Sequence, residues 1–261
     1  MTYPFRPLTL GELLDRTFSL YRRHFLLFVG IAAVPHVVML LFNVALAVPG
    51  AGLIGGFPAL IATISMLFVY FVTTVFTQAA GVVAVSRVQL GQQVTVGQAF
   101  SAVRSRIVEL MVLTLNLGVR VTLGFLLLVI PGIVLAMMYA LAVPVAVLEE
   151  TNVSETLERS AFLTKGHRGR IFVIYALLVI LSVVLTVAWQ MPAMLLTRTL
   201  TGPAGRIVSE FGAFVARTAL APLLTIGLSL MYYDERIRKE AFDLEHMMSQ
   251  LEGTQPSTAM P

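Results

Sequence analysis

The sequence predicts an all-α, polytopic membrane protein with six transmembrane helices in three hairpins, each hairpin preceded by an amphipathic helix at the membrane interface. Three observations predict it. Of 261 residues, 57% are hydrophobic and only 12% charged, against about 25% charged in soluble domains. The apolar residues collect in runs of roughly 20, the length that crosses a hydrocarbon core of ~30 Å at 1.5 Å per residue. A short capped segment recurs as TLGE from Thr9, TVGQ from Thr95 and NVSE from Asn152, and each copy leads through basic residues into an apolar run.

Composition excludes several chemistries. Cysteine is absent, so there is no disulfide framework, no thiol nucleophile and no thiolate metal site. The net charge of +4 comes from basic residues that flank the apolar runs, which makes the lipid bilayer the partner and excludes nucleic acid. Ala45 and Ala47 form an A-x-A pattern, but the apolar stretch before them is longer than a signal-peptide core and follows a long amphipathic segment. The first run is therefore expected to stay as a span.

The first interfacial helix is expected over 9–24. Thr9 with Glu12 fits a capping box, as does Thr95 with Gln98, and Asn152 with Glu155 is the Asn-capped version. Leu10, Leu13, Leu14, Phe18, Tyr21 and Phe25 fall at helical spacing, with Glu12, Asp15, Arg16, Arg22 and Arg23 largely on other faces. A one-sided, arginine-rich helix beside a span suits the headgroup layer. The same pattern also fits a simple extension of the first span.

Span one covers 26–48. Pro35 should kink it, freeing a carbonyl for a neighbour to satisfy. His36, a lone imidazole with no acid nearby in sequence, reads as an interhelical hydrogen bonder. After an uncharged turn from Pro49 to Pro58, span two covers 59–85. Its stripe of Thr73, Thr77, Ala80, Gly81 and Ala84 reads as a packing seam; the rival, a polar pore wall, would want more than threonines and Gln78.

The second interfacial helix is expected over 95–106. Span three follows at 107–129, closed by Pro131-Gly132, with span four at 133–148. Arg120 interrupts this run, so an alternative turn near Gly118 to Arg120 stays open. The third interfacial helix covers 152–165. Span five covers 171–194, with Trp189 in the far aromatic belt, and span six covers 207–233, with Tyr232 and Tyr233 at the near interface. An amphipathic helix over 234–252, carrying Asp234–Arg238 and Glu235–Lys239 pairs, completes a single membrane domain over 1–252. Residues 253–261 read as disordered.

Arginine and lysine decide the expected orientation. Fourteen of the 18 lie on the side holding both termini, two (Arg198 and Arg206) on the other, and Arg120 and Arg217 within spans. The positive-inside rule then places both ends in the cytoplasm of a cell with an inner membrane. Anionic lipid headgroups are the expected partners of Arg16, Arg22, Arg23, Arg104, Arg106, Arg168, Arg170, Arg236, Arg238 and Lys239.

Arg120, Glu210 and Arg217 are charges within spans, each costing about 2.5–3.5 kcal/mol at the centre of a bilayer. Depth counting predicts that they meet, with Asn116 and Gln190, as a cluster joining spans three and six. Such a cluster either fixes helix register or receives an anion. Glu109 and the pair Glu149-Glu150 sit at the boundary with arginines as partners. No catalytic set, phosphate-binding glycine loop or metal-ligand spacing is present, so no catalytic residue, metal or cofactor is expected.

The opening PLTLGELLDRTFSLYRRHF, the Pro131-Gly132-Ile133 turn and the stretch PVAVLEETNVSETLERSAFLTKGHRGRIFVI resemble the glycerophosphoryl diester phosphodiesterase membrane-domain family, a group of bacterial six-span proteins. The resemblance covers Leu8 to about Tyr233. It implies a membrane domain that stands alone or is fused to a separate phosphodiesterase barrel, and for stand-alone members it implies no shown activity. A (β/α)₈ barrel needs about 250 residues, and no extramembrane segment here approaches that. His167-Arg168-Gly169 matches a tripeptide of the phosphodiesterase site, but it precedes a span and lacks the strand and carboxylates that would make it catalytic.

Three functions follow in order of expectation. The first is a non-enzymatic membrane or envelope component. The second is a small transporter or exporter of an anionic or lipid-like substrate, which requires a polar cavity at mid-depth. The third is an intramembrane lipid-modifying enzyme. An oligomer stays open, since a lipid-facing surface and a subunit contact look alike in sequence.

Overall fold

A computed structural model describes residues 8–47, 56–199 and 203–253. Among them are ten α-helices and no strand. The three expected caps form. The Thr9 hydroxyl accepts from the Glu12 amide while Glu12 accepts from the Thr9 amide at 2.8 Å, opening α1 (Leu10–Arg23). Thr95 and Gln98 do the same for α4 (Val96–Val103), which ends in a 3-10 turn over Arg104–Arg106. Asn152 accepts from the Glu155 amide to open α8 (Val153–Thr164). Each cap satisfies amides that a helix start leaves without intrahelical partners.

Between them run α2 (Phe25–Ala47), α3 (Phe57–Gln89), α5 (Ile107–Leu127), α6 (Val129–Met138), α7 (Ala142–Leu148), α9 (Arg168–Thr199) and α10 (Pro203–Gly253). Six segments, counting α4, its 3-10 turn and α5 as one and α6 with α7 as another, are long and apolar enough to cross a bilayer. The protein is a helical, multi-pass membrane protein.

Four boundaries differ from expectation. The third crossing ends at Leu128, a single extended residue (φ −164°, ψ 155°), and not at Pro131-Gly132. Pro131 instead lies in the first turn of α6, where a missing N–H removes no helical bond. Helix α5 runs unbroken through Gly118 to Arg120, which closes that alternative. The tight reversal depends on glycine, because a Cβ on Gly124 would lie 3.1 Å from the Gly132 Cα.

The fourth crossing is broken between Met138 and Ala142. Pro144 offers no N–H to the Ala140 carbonyl, which weakens the helix at this break. The Ser160 and Thr164 hydroxyls of α8 donate to the exposed Met138 carbonyl at 3.0 and 3.2 Å. The expected junction at 233–234 does not exist, since α10 continues through it as one helix. The turn at 48–55 and the tail from 254 lie outside the described residues.

Helix α1 packs against the bundle. The Leu8 amide donates to Asp234 Oδ1 at 2.6 Å, and thirteen residues later Tyr21 donates to the Ala219 carbonyl. As α1 advances its partners retreat along α10, so the two helices run antiparallel, with Leu13 and Thr17 wholly buried. A separate helix lying in the headgroup layer would not make these contacts. Burial pushes the Tyr21 phenol up to about 12, which keeps it a donor at physiological pH.

The core is concentrated toward the end of the bundle that holds Leu8, His167 and Asp234, the near end. Ala79, Ala80, Ala84 and Val85 of α3, Leu110 and Leu113 of α5, Leu141 and Val145 around α7, Ile171, Ile174 and Leu178 of α9, and Ile226, Leu230 and Met231 of α10 are all buried. Small side chains bring the backbones together there. Toward the far end, Leu60, Ile64 and Leu67 of α3, Leu123 and Leu126 of α5, Ile180, Val184 and Val187 of α9, and Phe211 of α10 are exposed. Helix α10 is central and packs on α9, α2 and α3.

Candidate functional site: a cavity at mid-depth

Two prolines place the site. Pro35 of α2 leaves the Ile31 carbonyl without its helical donor, and Thr77 Oγ1 of α3 faces that carbonyl at 3.5 Å. His36 Nδ1 closes over the next one, Ala32, at 2.8 Å. A carbonyl only accepts, so Nδ1 carries the proton and Nε2 is left over. Pro222 of α10 likewise removes the donor for the Thr218 carbonyl, and Tyr21 donates to Ala219 in the same turn.

His36 and Arg217, beside the two prolines, lie at one depth. Asn43 Nδ2 donates to Glu210 Oε2 at 2.9 Å, pinning α2 to α10. Seven residues back along α2 is His36 and seven forward along α10 is Arg217, each about 10 Å nearer the middle at 1.5 Å per residue.

Between these proline-bearing helices lies a cavity of about 390 Å³. Phe28, Ile31, Pro35 and His36 of α2, Tyr70, Thr74, Thr77 and Gln78 of α3, Val179, Ser182, Val183 and Thr186 of α9, and Arg217, Leu220, Pro222 and Thr225 of α10 line it. Its walls are mostly apolar. The Ser182 hydroxyl returns to its own helix at Leu178 O, 2.7 Å away. The Thr74 hydroxyl is buried and has no hydrogen-bond partner, a state that costs about 1–3 kcal/mol. Among the described residues, no carboxylate or hydrogen-bond acceptor meets Arg217.

No family model, curated protein or solved structure matches this chain. The cavity's own chemistry is therefore the guide to function. It presents a hydroxyl and an imidazole nitrogen, with the exposed Arg217 guanidinium and Gln78 amide, against mostly apolar walls, a set that suits an anion attached to an apolar body. Among the described residues, no group of three or more His, Asp and Glu side chains is placed to hold a metal ion.

The expected Arg120–Glu210–Arg217 cluster does not form. Arg120 is exposed and its Nε donates to Asn116 Oδ1 at 2.7 Å, within α5. Glu210 is held by Asn43, and Arg217 faces the cavity. Counting along each helix gives depth but not which helices touch, and α5 does not pack on α10. Arg120→Gln and Glu210→Gln are accordingly expected to fold and accumulate normally, each within about 0.5 kcal/mol of the parent. Thermal unfolding of the two purified variants checks this, and collapse of either would restore a structural role to the pair.

Several basic residues expected at lipid headgroups are joints of the protein instead. Arg106 donates to Glu109, to the Ala146 carbonyl and to the Thr151 carbonyl. Arg170 and Arg238 both donate to the Leu8 carbonyl and flank Asp234. Arg236 meets Glu240, and Lys239 meets the Phe162 carbonyl and ring. Carboxylates and carbonyls from distant parts of the chain converge on these cations, so lipid is not needed to satisfy them.

Tyr232, expected at the interface, is buried and donates to Glu149 at 2.8 Å. Burial acts to lower the pKa of Arg159, and the hydrogen bonds and charges of Glu149 and Glu240 outweigh it and raise it. Arg22, Arg23 and Arg104 are exposed, and Arg16 and Arg168 are half-buried.

Sequence reasoning found Pro35, His36 and Arg217 but did not join them, and it gave Thr74 and Pro222 no role. The available signal was the pair of mid-span prolines in the first and last crossings, since interrupted helices in the two halves of a membrane protein point to its binding site.

Proposed function

We propose that the protein is a non-enzymatic membrane carrier that takes an anionic, lipid-like molecule into the mid-depth cavity, in an inner membrane with both chain ends in the cytoplasm. One observation carries this reading: Arg217 is exposed at the cavity wall, and no carboxylate among the described residues lies beside it. A central arginine costs about 2.5–3.5 kcal/mol in a bilayer. A bound anion offsets that cost; Arg120, also within a span, has Asn116 as its partner and does not line this cavity.

Two further features support the reading. Carriers often place their sites beside helices weakened by proline or glycine, and here α2 and α10 each carry a proline, Pro35 and Pro222, at the cavity while the fourth crossing is split. The helices are also tightly packed at the near end and looser toward the far end, so the cavity is more accessible from one side than the other.

The test is reconstitution into phosphatidylcholine vesicles containing a little head-labelled or chain-labelled phosphatidic acid, with dithionite reporting exchange of the label between leaflets. Exchange faster than in protein-free vesicles, and unchanged in Arg120→Gln, supports the carrier. Rates equal to those of empty vesicles overturn it. Reporter fusions at both ends check the orientation, and a periplasmic signal from either would remove that part of the reading.

A further inference from the structure

The carrier reading leaves open what enters and by which route. We infer, building on that reading, that the ligand is a phosphate-headed lipid that enters sideways from the bilayer, through the gap between α3 and α9, with its phosphate at Arg217 and Thr74 and its chains left in the membrane.

Size argues first. A volume of about 390 Å³ is at the low end of the ~300–1,000 Å³ typical of small-molecule pockets. It accommodates a headgroup, and a two-chain lipid must leave its tails outside.

Topology provides the exit. Helices α3 and α9 both line the cavity but share no extensive packing surface. Gln78 and Val183 line the cavity from these two helices and are both exposed. Beyond them toward the far end, Leu67 of α3 and Val184 and Val187 of α9 present apolar surface suited to acyl chains. The near end is closed to a water-soluble ligand, because Leu178 packs against Gly227 and the Asp234 and Glu235 carboxylates are buried among Arg170, His167 and Arg238.

Chemistry selects the headgroup. Thr74 and Arg217 come from different helices and offer donors that nothing among the described residues uses. A phosphate has enough acceptor oxygens to meet a forked guanidinium and a separate hydroxyl at once. A carboxylate brings two oxygens and one charge to the same donors, where a phosphate brings three oxygens and more charge.

The chain carries its own probe. Trp189 is the single tryptophan, exposed on α9 about one turn beyond Thr186. In phosphatidylcholine nanodiscs, phosphatidic acid with brominated chains is expected to quench Trp189 beyond what brominated phosphatidylcholine achieves. Unlabelled phosphatidic acid should reverse the excess, and inorganic phosphate or glycerol phosphate should not. Arg217→Gln should weaken it about 10- to 100-fold, the range for losing one charged hydrogen bond, while Arg120→Gln leaves it intact. Thr74→Val, which keeps shape and removes the hydroxyl, gives a second reading if Arg217→Gln does not fold.

Equal quenching by both brominated lipids overturns the inference. Equal excess quenching by a brominated fatty acid overturns the choice of phosphate, and competition by inorganic phosphate overturns sideways entry. Quenching preference without leaflet exchange would remove the carrier and keep the lipid site. Exchange without preference would do the reverse.

Discussion

Asp234→Ala is expected to prevent accumulation of the folded protein. Asp234 is 2% exposed. Its Oδ1 accepts the Leu8 amide at 2.6 Å, and its Oδ2 lies 2.7 Å from Arg170 Nη1 and 3.0 Å from Arg238 Nε. Both arginines also donate to the Leu8 carbonyl, at 2.6 and 2.7 Å. One carboxylate thus closes a ring through the chain's entry into α1, the start of α9 and the middle of α10.

Removing it strands two poorly solvated guanidiniums and a backbone amide. Breaking a buried pair in this way costs about 3–5 kcal/mol, a large share of a total stability on the order of 5–15 kcal/mol. Asp234→Asn should be intermediate, since its amide oxygen still accepts from Leu8 but brings no charge to the arginines. Size-exclusion profiles and thermal unfolding in detergent give the readout. A parent-like profile for Asp234→Ala would show that this ring is not what fastens the near end.

A second large effect is expected where α9 meets α10. A methyl group on Gly227 would run into the Leu178 side chain, which is wholly buried. Gly227→Ala should therefore cost about 1–3 kcal/mol by overpacking, and Leu178→Ala about 2–5 kcal/mol by leaving a void. Combined, the two should cost less than their sum, by about 0.5–3 kcal/mol, because the new methyl group occupies part of the vacated space. Thermal unfolding of the four proteins closes the cycle. Strict additivity would mean that the helices do not meet there. Val179, the next residue of α9, lines the cavity, so the single variants should also weaken ligand binding.

The near end illustrates how much was legible before the structure. Thr9, Thr95 and Asn152 announced their helix starts because a cap is made within four residues, and all three form as read. Asp234–Arg238 was also legible as an i,i+4 pair, and it exists at 3.0 Å. The same Asp234 also binds Leu8, 226 residues away, and nothing in the local pattern announces that. Arg170 and Arg236 looked like headgroup contacts for the same reason: a basic residue at a membrane boundary has one appearance in sequence whether lipid or carboxylate is beside it.

By itself, then, the sequence determined the number of crossings, the three capped helix starts and the position of the prolines. These depend on quantities carried locally: a rise of 1.5 Å per residue measured against a bilayer of known thickness, a cap made within one turn, and an N–H that proline lacks. Only the tertiary structure decided which crossings touch, that α1 follows α10, that the fourth crossing breaks under α8, and that Arg217 faces a cavity while Arg120 does not. The physical reason is that hydrocarbon solvates an apolar helix face about as well as another helix does. Hydropathy therefore carries no mark distinguishing a face that packs from one that meets lipid.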